Sequence, residues 1–163
     1  MKKKGVVLLV MVLLAVNTSA FAEDINYVDE LGVANRNVGV MSMYEVEPND
    51  TPAQAKWSNE IRANTQWRRG SVSLSDTVDF YHYNHLNYGN MKITLFNISS
   101  SSKVRVEIYR EGSDGNLIYL TGRTTTGIQY SLDVLNAQAG HYFIKINHIG
   151  SYKISYDIMI DAK

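Results

Sequence analysis

Strict two-residue alternation constrains this chain more than any other feature. In "HYFIKINHI", His141 to Ile149, residues Tyr142, Ile144 and Ile146 share one face. In "YKISYDIMI", Tyr152 to Ile160, residues Ile154, Tyr156, Ile158 and Ile160 do the same. Successive strand side chains point to opposite faces, so such segments bury one side and expose the other. The polar "HIGS" between them reads as the turn of a hairpin. The same period places Met91, Ile93 and Leu95 together in "NMKITLFN". In "KVRVEIYR" it turns Val104, Val106 and Ile108 inward and Lys103, Arg105 and Glu107 outward. "QWRRGSVSL", "VDFYHYN", "LIYLTG" and "GIQYSLD" are further strand candidates, with turns at "EGSDGN" and around Gly127. Seven to eight short strands separated by turn residues predict an all-β, antiparallel β-sandwich. "TPAQAKW", Thr51 to Trp57, adds one short N-terminal helix, with an N-cap residue followed by proline at the first helical position.

The first 22 residues carry three lysines, an apolar run from Gly5 to Val16 and the small-residue site Ala20-Phe21-Ala22. This pattern predicts a signal peptide over 1–22 and a secreted, extracellular protein. The apolar run is too short to cross a bilayer, so no membrane span is expected. Residues 23–43 show neither period and read as a linker or flexible arm, leaving 44–163 as a single domain. The chain has 16 basic and 16 acidic side chains, and removing 1–22 leaves the acids in excess by three. That balance lacks the basic face nucleic acid requires. There is no cysteine, although an exported compartment permits disulfides. A metal ion is another way to pin such a fold.

"YEVEPND" places Glu45, Glu47, Asn49 and Asp50 at a spacing that brings alternate residues to one side of an extended segment. Converging carboxylates raise one another's pKa unless a cation or donor groups compensate. About twenty residues on, "GSVSLSDTVDFYHY" holds Ser71, Asp76 and Asp79. Mixed carboxylate, amide and carbonyl oxygens are what calcium takes in its six- to eight-coordinate shell, whereas magnesium keeps more of its water. Two calcium ions would nearly balance the five carboxylates. The competing reading is an acidic turn in which Asp50 or Thr51 caps the helix. His82 and His85 fall on opposite strand faces and read as surface or turn residues rather than joint zinc ligands. No Gly-x-Ser-x-Gly elbow occurs, and an enzyme is not expected. The eleven tyrosines fit either a packed core with hydroxyls at its rim or an exposed contact surface.

"EVEPNDTPAQA", the later "GSVSLSDTVDFY", "GHYFIKI" and "YKISYDI" together resemble the bacterial pre-peptidase C-terminal domain, and in particular the calcium-binding collagen-binding domains of clostridial collagenases. The resemblance spans about Tyr44 to Lys163. It implies a jelly-roll-like sandwich with a pair of calcium ions held by Glu45, Glu47, Asn49, Asp50, Ser71, Asp76 and Asp79. It further implies a secreted, non-catalytic module, expected to be a monomer, that binds an extracellular protein or polysaccharide such as collagen. A different class of function is an accessory, chaperone or inhibitor-like partner of a separately encoded secreted peptidase.

Overall fold

The computed structural model describes residues 41–96, 98, 102–125 and 128–163. The expected signal peptide, the arm up to residue 40 and the turn around Gly127 lie outside the described residues. The elements are β1 (Met41–Tyr44), α1 (Pro52–Ser58), β2 (Gln66–Val72), β3 (Val78–His85), β4 (Gly89–Phe96), β5 (Lys103–Glu111), β6 (Leu117–Thr124), β7 (Tyr130–Ala137), β8 (Gly140–Ile149) and β9 (Ile154–Ala162).

Two sheets form, in the orders β1-β2-β9-β4-β7 and β3-β8-β5-β6. The antiparallel pairs β5·β6, β4·β7, β3·β8 and β2·β9 nest inside one another. The stretch from β2 to β9 is thus one long hairpin, centred on the β5–β6 turn and folded over into two layers. Pairing of β4 with β9 and of β5 with β8 closes each layer. This is a jelly roll, the double-sheet solution that leaves few strand edges unpaired.

The alternation read from the sequence sets the core. Val104, Val106 and Ile108 from one sheet meet Ile93, Leu95, Ile158 and Ile160 from the other, all fully buried. Each such side chain contributes about 1.5–3 kcal/mol by leaving water. Thr51 caps α1 through Oγ1, which accepts from the Gln54 N–H at 3.3 Å. Ala55 of α1 packs on Phe80 and Phe143, on the outer face of the second sheet.

Three expectations are corrected. β8 and β9 are not a hairpin: β8 pairs with β3 and β5, and β9 with β2 and β4. Their apolar faces look at each other across the core, and Gly150–Lys153 carries the chain from one sheet to the other. The last three residues of the expected arm, 41–43, belong to β1, which runs parallel to β2 from Met41↔Gln66 to Tyr44↔Arg69. That strand is held by backbone pairing at a sheet edge, which needs no alternation. Finally, His82 and His85 are buried rather than on the surface. They do take opposite faces of β3: His85 lies beside Tyr83, and His82 lies against Phe143.

Candidate metal centre

Beyond β1, the Glu45 N–H still donates to the Arg69 carbonyl at 2.9 Å, carrying the pairing with β2 one residue further. The chain then leaves the sheet and crosses to β3, where the Phe80 N–H donates to the Asn49 carbonyl at 2.8 Å. The two anchors bring Glu45, Glu47 and Asn49 against the first residues of β3. Ligand oxygens of Glu45, Glu47 and Asp79 all lie within 4.8 Å of one another, a grouping that could hold a metal ion.

Asn49 is fully buried among these carboxylates. In one orientation its amide nitrogen donates to Glu45 Oε2 at 3.3 Å. Turned over, it donates to Glu47 Oε2 and Asp79 Oδ1, both at 3.0 Å. The turned-over orientation satisfies both amide atoms, whereas in the first the amide oxygen faces the Glu47 and Asp79 carboxylate oxygens, an arrangement that a cation between them would relieve. The Ser71 N–H donates to Glu45 Oε1 at 2.7 Å, so the contact Ser71 makes here is through its backbone. Asp76 sits in the turn where the Ser73 N–H donates to the Asp76 carbonyl at 2.6 Å. Its charge acts on Glu45, Glu47 and Asp79, while that of Asp50 acts on Glu47 and Asp76. Asp50 and Asp76 thus flank the three-carboxylate group rather than enter it.

Burial first, and then the Glu45 charge, push the Asp79 carboxyl up to about 9. Burial likewise raises Glu45, Glu47 and Asp76, with neighbouring carboxylates adding to each. Such shifts are expected where carboxylates gather out of water without a compensating charge.

Two tyrosines complete the corner from the core side. Tyr81 Oη donates to Glu45 Oε2 at 2.7 Å, Tyr156 Oη donates to Asp79 Oδ2, and the two hydroxyls lie 2.9 Å apart. Two hydroxyl hydrogens cannot fill three oxygen–oxygen contacts. With a proton on Asp79, in keeping with its raised pKa, the Tyr156–Asp79 bond reverses and all three contacts are filled, Asp79 donating to Tyr156, Tyr156 to Tyr81 and Tyr81 to Glu45. Gly70 of β2 makes room for this network. A Cβ there would lie 2.2 Å from Tyr81 Oη, 2.5 Å from Glu45 Oε2 and 2.7 Å from Tyr156 Oη.

Gly70, Tyr81 and Tyr156 were not among the residues singled out for the site from the sequence. The alternation had assigned Tyr156 to the core face, which is where it lies, and the one available signal was polar hydroxyls on an otherwise apolar face. His82 Nε2 and His141 Nδ1 lie 2.9 Å apart, but among the described residues no third metal ligand joins them. Among the described residues, no helix is long and apolar enough to cross a membrane.

No family model matches the chain. It is 28% identical to Collagenase ColA of Clostridium perfringens over 116 residues, 68% of this chain and 10% of that protein. The chain therefore matches about a tenth of that collagenase's length. The crystal structure of the pre-peptidase C-terminal domain of a collagenase from Bacillus anthracis superposes with a TM-score of 0.53 at 21% identity. It covers 63% of this chain and 93% of that one. In sequence and in fold, the chain is a β-sandwich similar to the pre-peptidase C-terminal domains of bacterial collagenases.

Proposed function

We propose that residues 44–163 form a secreted, non-catalytic binding module whose acidic corner takes calcium, and that the ion stabilises the module rather than performing chemistry. The observation that carries this reading is the convergence of Glu45, Glu47 and Asp79 on one point, with the buried Asn49 amide among them. An all-oxygen donor set with several carboxylates suits calcium better than magnesium, and better than zinc, which favours nitrogen and sulfur. Asp50 and Asp76 supply the charge for a second ion beside the first, with Ser71 at its margin. Calcium would fasten the segment between β1 and α1 to β2 and β3, so binding free energy becomes folding free energy. The ligand proposed for the module is an extracellular protein of the collagen type, because the relatives it matches are collagenases.

Melting in calcium and in chelator tests the metal reading. Calcium should raise the melting temperature and protect the peptide around Asn49 from proteases. Terbium, as a calcium substitute, should show emission sensitised by Tyr81 and Tyr156. Identical melting and cleavage with and without calcium would sink the reading. Co-sedimentation with insoluble collagen, set against chitin and peptidoglycan, tests the ligand separately.

A further inference from the structure

Two carboxylates of the corner, Glu45 and Glu47, flank Val46, and the backbone of Val46 is gripped by a side chain from elsewhere in the fold. The Val46 N–H donates to Asn59 Oδ1 at 2.9 Å, and Asn59 Nδ2 donates back to the Val46 carbonyl at 2.8 Å. The Asn59 amide therefore imitates one residue of a neighbouring strand, at a point where β1 has ended. Asn59 is fully buried. Its own backbone is fixed at both ends: its N–H donates to the Ala55 carbonyl at 2.9 Å as the C-cap of α1, and its carbonyl accepts from the His82 N–H at 3.1 Å.

Behind Asn59 stands Arg68 of β2, 5% exposed. Its Nη1 donates to Asn59 Oδ1 at 3.3 Å and to the Tyr44 carbonyl at 3.2 Å. Its Nε and Nη2 donate to the Glu60 carbonyl at 3.1 and 2.9 Å. A buried guanidinium is costly unless its donors are satisfied, and here one planar fork ties together the residue before Glu45, the clamp residue and the residue after it. None of these bonds involves a carboxylate or an ion.

We infer that Asn59 and Arg68 are positioning residues for the metal centre. They hold Glu45 and Glu47 in register toward Asp79 before any ion arrives, and so set the affinity with which it binds. This inference rests on the metal reading above. It refines that reading: backbone groups outside the ligand set already fix Val46, so calcium adds to an order present at this residue and fastens the rest of the segment. Partners that orient metal ligands from behind typically govern affinity by 10–100-fold when altered.

The test combines calcium titration, at a temperature well below melting, with hydrogen exchange in chelator. Asn59→Asp keeps the acceptor for the Val46 N–H and gains a charge partner in Arg68, but loses the donor to the Val46 carbonyl. Arg68→Lys keeps the charge and loses the fork. Calcium affinity should fall about 10–100-fold in Asn59→Asp and by a smaller factor in Arg68→Lys, with near-ultraviolet circular dichroism unchanged. The Val46 amide should be protected in chelated wild type and exchange faster in both variants. Equal calcium affinity in wild type and variants overturns the inference. Fast exchange of Val46 in chelated wild type also overturns it, and needs no variant to fold. Failure of the wild type to bind calcium overturns the metal reading instead.

Discussion

Strand β3 carries two buried polar groups on its opposite faces, and they are solved differently. On the inner face, Asp79 and Tyr81 meet Glu45, Glu47, Asn49 and Tyr156. On the outer face, His82 meets His141 and packs against Phe143, beneath α1 and the Asn59–Ile61 segment. Burial drives both groups toward their neutral forms, raising Asp79 and lowering His82. The difference lies in the donors. The acidic corner keeps exposed carboxylates, Glu47 and Asp50, at its mouth and gathers three carboxylates. The histidine pair is partly covered, His82 buried and His141 half-buried, with Lys56 ion-paired to Glu111 at 2.7 Å alongside. A cluster of carboxylates open to water on one side can exchange its protons for a cation, whereas two ring nitrogens that bond to each other stay a packing unit.

The largest effect that would break this contrast is expected from Asp79→Asn. Removing that charge should abolish the calcium-dependent rise in melting temperature and leave the chelated protein at least as stable as wild type. Melting curves with and without calcium check both halves; a calcium response that survives intact would remove Asp79 from the site. Gly70→Ala should come next. Its Cβ would enter the space of three oxygens, costing about 1–3 kcal/mol as overpacking does and weakening calcium binding, measured by denaturant unfolding and titration.

The two faces should also give opposite pH slopes. Asp79 titrates at about 9 in the fold against about 4 in an unfolded chain. Its stabilising contribution to the chelated protein is therefore full below about pH 4 and is lost as pH rises through about 9. Saturating calcium should flatten or reverse that fall. His82 is lowered by burial, so its contribution is full above the unfolded value of about 6.5 and is lost as pH falls below it. His82→Gln should flatten only this acid limb, in melts recorded from pH 4 to 9. The smallest change is expected from Lys56→Ala. A partly exposed ion pair contributes about 0–1 kcal/mol, and calcium affinity should not move.

Much of the fold was legible in the sequence, because alternation reports which side chains share a face. The buried residues of β4, β5, β8 and β9 follow that pattern without exception among those named from it. Alternation does not report which strand lies beside which. "HIGS" therefore looked like a hairpin turn, although it links two sheets. The carboxylates were likewise readable as two clusters of oxygen donors. Gly70, Tyr81, Tyr156, Asn59 and Arg68 were not, since each acts through a partner distant in sequence. Tyr81 meets Tyr156 across 75 positions, and Asn59 meets Val46 across 13.

What the sequence determined by itself was local: strand faces from their two-residue period, the capped helix from Thr51 and Pro52, and the ligand types from their oxygen chemistry. The jelly roll was implied by the resemblance, but only the tertiary structure decided which strands lie side by side in it, and so brought the start of β3 beneath the segment after β1. It also decided that Asp79 ends up wholly out of water. Desolvation and mutual repulsion depend on what surrounds a carboxylate in three dimensions, and that is a property of packing, not of spacing along the chain.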